Sequence, residues 1–421
     1  MKRYDSYKDS GVKWLGQIPS HWEVKHLRNF LTLFSEKGYG DCQLLSVTRE
    51  KGVILRDKDN KEENHNFVPD DLSGYKHLNA GDFVINKMKS WQGSYGVSEY
   101  EGIVSPAYFT CKLHGVKPSF FSRAIRSKAY IGFFMQYSKG IRVDQWDLDP
   151  NSMKDIPFLL PPIAEQDAIV TYLDTATAKI DAAILQQQKM IDLLNERKQI
   201  IINNAVTKGL NPNVKMKDSG VELIGEIPSH WEVLALKHIL KLKKNIIGNR
   251  ASQFDLLSLT LRGIVKRDME NPEGKFPASF DTYQIVQPND FVFCNFDNEE
   301  TPRSVGLSSY LGMITGAYDV LSRKNPNLTD RYLLYYFLYI DDAKRFKPLY
   351  KGLRKTVPFD AFMSYKIPVP PIAEQDAIVT YLDTATAKID TAILQQQKMI
   401  DLLKERKQLI INDVVTGKIK V

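Results

Sequence analysis

The chain has 421 residues, enough for two or three domains, and its content of 43% hydrophobic and 25% charged residues is typical of a globular protein. No run of about 18 apolar residues is present and the first residues are polar, so we expect neither a membrane span nor a secretion signal. Three cysteines without metal-ligand spacing favour a cytoplasmic protein with no disulfide bond and no metal site, and the net charge of +7 is a mild sign of an anionic partner.

Two segments of the chain occur twice at the same offset of 209 residues. The first, Lys8–Val24, returns as Lys217–Val233 with four changes in 17 positions. The second, Pro161–Thr207, returns as Pro370–Thr416 with five changes in 47 positions. This pattern indicates a tandem duplication of one unit, which consists of a short motif, a globular insert and a long repeated segment.

The globular inserts, roughly 25–160 and 234–369, differ in sequence but share one order of predicted elements. In the first insert, short β-rich runs such as Gly81–Met88 precede one aromatic-rich helix, Ser119–Tyr137. In the second insert, the corresponding helix is Asp330–Phe346. We therefore predict two mixed α/β modules that have one fold and different surface residues.

The long repeated segment is predicted to be a helix. Pro161 and Pro162 stand where a helix can begin, and no Gly or Pro follows until Gly209. Apolar residues recur in steps of three and four, which is typical of a coiled-coil seam that contacts a partner. The seam residues are Ile169, Leu173, Ile180, Ile184, Met190 and Leu194 in the first copy and Ile378, Leu382, Ile389, Ile393, Met399 and Leu403 in the second.

Such a helix would span roughly 64 Å at 1.5 Å per residue, so its partner should be its own copy. Because the linker after the first helix is short, the second helix must run back along the first, and we predict an antiparallel pair that separates the modules with pseudo-two-fold symmetry. The predicted division is a first module at 1–160, a first long helix at 161–207, a linker at 208–215, a second module at 216–369, a second long helix at 370–416 and a tail at 417–421.

The charge distribution points to the modules as the binding surfaces. Each long repeated segment has a net charge of −2, which leaves +11 on the remainder, as expected if the modules contact phosphates. Basic residues alternate with aromatic residues and with Gln92, which can pair with adenine, and a Lys-Gly-Ile/Leu-Arg core precedes each long helix. The candidate DNA-binding residues are Lys87, Lys89, Trp91, Gln92, Arg123, Arg126, Lys139 and Arg142 in the first module and Lys344, Arg345, Lys347, Lys351, Arg354 and Lys355 in the second.

Signs of catalysis are missing from the sequence. It contains no adenine-methyltransferase motif, no Gly-rich cofactor loop and no phosphate-binding loop. The His-Trp-Glu triplets at His21–Glu23 and His230–Glu232 are interpreted as packing residues, because a histidine beside a buried tryptophan is far more often structural than catalytic. We therefore expect no catalytic residue and no bound cofactor in this chain.

The repeated motifs resemble those of the specificity subunit of Type I restriction–modification systems. The resemblance is carried by "SGVKWLGQIPSHWEV" and "SGVELIGEIPSHWEV", each followed by a variable module and then by "PPIAEQ" at the start of a long helix, and it covers essentially the whole chain. Ile163 and Ile372 stand where the family often has Leu.

The resemblance implies a non-catalytic subunit whose two recognition domains read the unlike halves of a bipartite site in double-stranded DNA. The paired helices would set the spacer and bind two modification subunits, which carry S-adenosylmethionine and methylate adenine, and a restriction subunit that moves along DNA and cuts it can join the complex. Two other readings stay open: a coiled-coil scaffold that binds only proteins, and an enzyme whose active site has no recognisable motif.

Overall fold

The computed structural model describes residues 2–57, 68–140, 146–221, 224–268, 277 and 279–421, and in it each insert forms short strands followed by helices. The strands of the first repeat are β1 Tyr7–Asp9, β2 Gln17–Pro19, β3 Glu23–His26, β4 Leu31–Phe34, β5 Leu45–Thr48, β6 Gly52–Leu55, β7 Lys76–Leu78, β8 Phe83–Ile85, β9 Tyr95–Val97, β10 Gly102–Val104, β11 Phe109–Leu113, β12 Ser138–Lys139, β13 Asp147–Leu148 and β14 Pro157–Leu160. Its helices are α1 Pro118–Ile125, α2 Lys128–Tyr137, α3 Pro150–Lys154 and the long α4 Ile163–Lys208.

The second repeat follows the same plan. Its strands are β15 Met216–Asp218, β16 Glu226–Pro228, β17 Glu232–Ala235, β18 Leu240–Lys243, β19 Leu257–Thr260, β20 Gly263–Lys266, β21 Gln284–Val286, β22 Phe291–Phe293, β23 Val305–Leu307, β24 Gly312–Ile314, β25 Asp319–Arg323 and β26 Lys366–Val369. Its helices are α5 Asp330–Asp342, α6 Phe359–Ser364 and the long α7 Ile372–Val415.

The chain divides into two compact units, each of which contains one module and parts of both long helices. The first unit extends to Gln188 and also includes Lys398–Val421, whereas the second unit is Lys189–Gln397. Each unit has its own hydrophobic core, in which the module packs against side chains of both α4 and α7. A module and its share of the two helices therefore form one packed body.

A four-stranded antiparallel sheet forms in each module, with the order β4-β11-β8-β9 in the first and β18-β25-β22-β23 in the second. Apolar side chains on one face of the sheet pack under aromatic helices. The rings of Phe83 on β8 and Phe121 on α1 pack edge-to-face, with 5.1 Å between their centroids. The rings of Phe291 on β22 and Phe337 on α5 pack in the same way, with 5.5 Å between their centroids. The shared strand order confirms the prediction of two α/β modules with one fold.

The aromatic helix of the first module is divided, where the sequence predicted one continuous helix. Helix α1 ends at Ile125, Ser127 is extended with φ −71° and ψ 158°, and α2 begins at Lys128. This break allows α1 to contact β9 while α2 contacts the loop that follows β8. The second module has the single helix α5 at this place.

The short motif of each repeat holds the start of the long helix that follows its module. In the first unit, Trp22 is fully buried and its indole Nε1 donates to Oε2 of Glu165 at 2.8 Å, while His21 Nε2 lies 2.9 Å from the same oxygen. In the second unit, Trp231 Nε1 donates to Glu374 Oε2 at 2.9 Å. The tryptophan of each triplet is thus a buried packing residue, as the sequence indicated.

The same tryptophans also contact the end of the other long helix. Gly209 follows α4 with φ +73°, and a Cβ built on it would lie 3.2 Å from the Trp231 ring. Gly417 follows α7 with φ +73°, and its Cβ would lie 3.3 Å from the Trp22 ring. Each tryptophan therefore touches the beginning of one long helix and the end of the other, which requires the helices to be antiparallel within each unit.

Ion pairs between the helices agree with this direction. In the first unit, Lys407 Nζ on α7 donates to Asp181 on α4 at 2.7 Å. In the second unit, Lys198 Nζ on α4 donates to Asp390 on α7 at 2.7 Å. The predicted antiparallel pairing is confirmed.

The apolar seam follows the prediction at its start and departs from it further along. The buried predicted residues are Ile169, Leu173 and Ile180 with their copies Ile378, Leu382 and Ile389, and the half-buried ones are Ile184, Leu194, Ile393 and Leu403. Met190 and Met399 are instead 44% and 47% exposed, and the next residues, Ile191 and Ile400, are buried. A straight helix drifts by about 20° per heptad against a 3.5-residue repeat, so the buried position moves on by one residue.

We expect Gly417→Ala to destabilise the protein more than Gly16→Ala. Both glycines have positive φ, +73° and +66°, which costs an alanine about 1–2 kcal/mol. A Cβ at position 417 would also lie 2.3 Å from Pro19 Cδ, whereas nothing lies within 4 Å of one at position 16. Chemical denaturation should show an additional loss of about 1–3 kcal/mol for Gly417→Ala. Equal losses for the two variants would contradict the packing of the end of α7 on the first motif.

Candidate nucleic-acid interface

Two basic stretches that are separate in the first module's sequence lie side by side in the structure. They are the β8–β9 loop, residues 86–94, and the pre-helix segment, 138–148, of which 141–145 lie outside the described residues. Lys87 Nζ donates to Asp147 Oδ2 at 2.9 Å, and the ring centroids of Trp91 and Trp146 are 5.2 Å apart. The structure therefore joins these two stretches into one surface.

The second module has the same arrangement at the equivalent place. The β22–β23 loop, residues 294–304, packs against the 351–357 segment, where the Asp297 amide donates to the Arg354 carbonyl at 2.7 Å. Lys351 and Thr356 close a hairpin through mutual backbone hydrogen bonds of 2.9 and 3.0 Å. In both modules, therefore, the loop after the equivalent strand, β8 or β22, packs against the segment that leads towards the long helix.

The chemistry of the two loops differs. In the β8–β9 loop, Lys89 is exposed and Gln92 and Trp91 are half-buried. The β22–β23 loop instead carries the acids Asp297, Glu299 and Glu300. One scaffold position therefore presents donors in the first module and carboxylates in the second.

The carboxylates of the β22–β23 loop bind three of the predicted DNA contacts. Arg354 Nε donates to Asp297 Oδ1 at 3.1 Å, and this guanidinium holds the pKa of Asp297 below its usual range. Glu299 accepts from Lys355 and lies 3.1 Å from Lys347 Nζ, and these two ammonium groups lower the pKa of Glu299. All five side chains remain partly exposed to solvent.

Two further predicted residues of the second module have roles inside it. Lys344 Nζ donates to the buried Asp341 and to the carbonyl of Thr301, both at 2.7 Å. The Arg345 guanidinium lies over the Tyr339 ring at 4.2 Å. Lys344 therefore attaches the end of α5 to the β22–β23 loop, whereas Arg345 packs on α5 itself.

The two arginines that the sequence placed on one helical turn bind the protein itself. Arg123 Nε donates to Asp174 Oδ1 on α4 at 3.0 Å and thereby attaches α1 to the long helix. Arg126 donates to the backbone carbonyls of Tyr95, Arg49 and Glu50 at 2.7, 3.0 and 2.7 Å, and burial lowers the pKa of its guanidinium. Three backbone acceptors therefore engage the Arg126 guanidinium within the protein.

Three of the predicted cations remain exposed on the surface, and of these Lys139 interacts electrostatically with Asp149. Lys89, Lys139 and Lys351 are exposed and form no ion pair with any residue that the structure describes. Arg142 lies outside the described residues. Next to Lys351, Leu353 is fully exposed at the tip of the hairpin. These lysines are the best placed of the candidates to contact phosphates.

Sequence reasoning missed two parts of this surface. One is the acidic character of the β22–β23 loop, which the run Asp297–Glu300 could have indicated. The other is the turn between β5 and β6, residues 49–51, which lies beside the β8–β9 loop: a Cβ on Gly93 would be 4.0 Å from the Arg49 carbonyl oxygen. The approach of this turn to the β8–β9 loop is not visible from spacing in the chain.

The described residues form neither a metal site nor a membrane span. Among them, no three His, Cys, Asp or Glu side chains are grouped closely enough to hold a metal ion. In the same part of the chain, no helix combines the length and apolar character that a membrane span needs.

Comparison with known proteins gives consistent relatives. The family model described as "Type I restriction modification DNA specificity domain" matches residues 315–399. A putative type I restriction enzyme MjaX specificity subunit from Methanocaldococcus jannaschii is 26% identical, with 99% of this chain and 98% of the relative covered. The MjaVIII specificity subunit from the same organism is 25% identical over 69% of this chain and 68% of that protein.

A solved structure shares the fold. It comes from work on complex assembly and conformational transition of the type I R-M system, and it matches with a TM-score of 0.65 at 14% identity over 96% of this chain and 99% of that one. Together these matches confirm the resemblance that the repeated motifs indicated. The expectation of a recognition subunit rather than an enzyme agrees with the two curated relatives, which are both named specificity subunits.

We expect Lys89→Ala to weaken binding to duplex DNA and to reduce the slope of log K against log salt by about one, because one phosphate contact is lost. Arg123→Ala is the matched control, since this exposed side chain is engaged by Asp174. The control should leave the salt slope unchanged and cost at most about 1 kcal/mol of folding free energy. Titrations at several salt concentrations measure both variants, and equal slopes for Lys89→Ala and the unmodified chain would remove the β8–β9 loop from the interface.

Proposed function

We propose that this chain, a relative of the type I specificity subunits, is the non-catalytic DNA-reading subunit of a type I restriction–modification complex. Its first module, 1–160, would read one half of a bipartite asymmetric site, and its second module, 216–369, would read the other half. The observation that carries this proposal is the pairing of one shared fold with two different chemistries at the same loop position.

The two loops suit different bases. Lysine and glutamine, as in the β8–β9 loop, donate to the major-groove edges of guanine and adenine, whereas a carboxylate such as the exposed Glu300 of the β22–β23 loop can accept from the amino group of cytosine. Phosphate contacts from Lys139 and Lys351, next to these loops, would supply affinity that falls with salt. A shared scaffold with exchanged loop residues is therefore suited to two unlike half-sites.

The long helices support a second role, the binding of two identical partners. On α4 in the second unit, Leu193 is 59% exposed, and on α7 in the first unit its copy Leu402 is 60% exposed. The exposed apolar positions are Met190, Leu193 and Ile200 on α4 and Met399, Leu402 and Leu409 on α7. Because the two sets are equivalent copies, each unit offers nearly the same apolar helix face to a protein.

We assign these faces to two modification subunits, which would bring S-adenosylmethionine to the complex and methylate adenine after turning the base out of the DNA stack. No cofactor is assigned to the present chain. A restriction subunit would join the same complex by binding either the modification subunits or this chain.

The exposed helix faces also suit the second candidate, a scaffold that binds only proteins. The two candidates differ in their dependence on salt, because DNA binding through several lysines loses affinity steeply as salt rises. A scaffold would bind the modification subunit but would show no such fall with duplex DNA.

The proposal is tested by expressing the chain with its modification subunit in cells that lack other adenine methylation. Sequencing that detects N6-methyladenine should reveal one bipartite motif with two different halves. Methylation of the same motif by the modification subunit without this chain would contradict the proposal, as would methyl transfer by the purified chain alone.

We expect Leu193→Glu to remove one of two bound modification subunits, and Leu193→Glu combined with Leu402→Glu to remove both, because each change places a charge on one apolar helix face. Native mass spectrometry of the assembled complex measures the stoichiometry. Asn195→Glu is the control, since Asn195 is exposed on α4 and lies about 200° around the helix from Leu193. Retention of two partner subunits by the double variant would show that these faces do not bind them.

A further inference from the structure

We infer that the tip of the β5–β6 hairpin, Thr48–Gly52, contacts DNA in addition to the β8–β9 loop and the pre-helix segment of the first module. Arg126 is the positioning residue that holds this tip in place. This inference rests on the proposed function and assigns to the first half-site a contact that the second module does not make in the same way. The geometry of the tip, of Arg126 and of the neighbouring loop carries it.

The tip is a hydrogen-bonded turn that exposes its side chains. Thr48 and Gly52 are paired across the hairpin, and Thr48 Oγ1 accepts from the Lys51 amide at 3.1 Å and donates to the Gly52 carbonyl at 3.2 Å. Side chains of Arg49 and Glu50 are 63% and 80% exposed, and Lys51 is exposed as well. A fixed backbone with free side chains is suited to contact a partner.

Arg126 connects this tip to the sheet. Its Nη1 donates to the carbonyl of Tyr95, the first residue of β9, while its Nη2 donates to the carbonyls of Arg49 and Glu50 in the tip. The backbone of Gly52 leaves room for the guanidinium, since a Cβ there would lie 3.0 Å from Nη1. Because β9 begins where the β8–β9 loop ends, Arg126 fixes the tip in relation to that loop.

The tip and the β8–β9 loop form one continuous surface. The Arg49 carbonyl lies 4.0 Å from where a Cβ on Gly93 would be, and Gly93 belongs to the loop that carries Lys89. The Arg49 guanidinium forms an ion pair with Glu50 at 3.6 Å, a distance too long for a hydrogen bond, and its exposed donors can reach another group. An arginine can donate two hydrogen bonds to guanine or bind a phosphate, and Lys51 adds a second positive charge.

The second module lacks this device. Its corresponding turn, between β19 and β20, has two residues, Leu261 and Arg262, in place of three. Nine residues after the helix cap at Lys117 the first module has Arg126, whereas nine residues after the equivalent cap at Thr329 the second has Leu338. The pinned tip is thus specific to the first module, and its loss should affect only the first half-site.

The test uses the full chain in complex with its modification subunit and duplexes that carry the mapped motif. Arg49→Ala should weaken binding about tenfold or more and relax the preference for one base pair of the first half-site, while Lys51→Ala should reduce the salt slope by about one. The second half-site serves as an internal control and should be unaffected. Arg28→Ala, which removes an exposed arginine paired with Asp155 in the same module, is the matched control and should bind as the unmodified chain does.

The role of Arg126 is tested separately. Arg126→Leu, which introduces the residue of the second module, should relax the same base preference as Arg49→Ala, and Arg126→Lys should restore it in part. A purely structural role would lower stability without changing the preference in one half-site only.

Unchanged affinity, salt slope and motif in both Arg49→Ala and Lys51→Ala would overturn the inference. These two surface variants keep the test decisive even if Arg126→Leu does not fold. A complex of the unmodified chain that neither binds nor methylates DNA would instead overturn the proposed function, so the two failures are distinguishable.

Discussion

The fold depends on two carboxylates, Glu165 and Glu374, each held by the indole of a buried tryptophan. Trp22 and Trp231 donate to them at 2.8 and 2.9 Å, and both bonds join a module to the first turn of its long helix. A buried indole N–H without an acceptor is costly, so this single bond specifies where the helix must begin. Since the same tryptophans pack on the glycines that end the opposite helices, one small motif determines the position of four helix termini.

This constraint explains which parts of the chain repeat and which differ. The motif and the long helix contact each other at both ends, so a change in one requires a change in the other, and both are nearly identical in the two copies. The residues of the β8–β9 and β22–β23 loops are not constrained by this contact between motif and helix. They lie at the same place on the same sheet and differ in charge, which is the arrangement expected of a constant support with two different binding surfaces.

The sequence predicted the two long helices, their direction and the common module fold, because apolar spacing, helix-breaking residues and linker length are local properties. It did not predict which cations are available. Arg126 meets backbone carbonyls of another strand pair and Arg354 meets Asp297, 57 residues earlier in the chain, and only the folded structure brings these groups together. The exposure of Met190 was missed for a different reason, since a small deviation in helical period accumulates with distance from the first seam residue.

The most direct test of the account is to map adenine methylation for a chain in which residues 234–369 are replaced by a second copy of residues 25–160. If one constant support carries two interchangeable readers, this chain should assemble with its modification subunit and methylate a site that contains the first half-site twice. Retention of the original asymmetric site would contradict the account, because sequence choice would then reside outside the inserts.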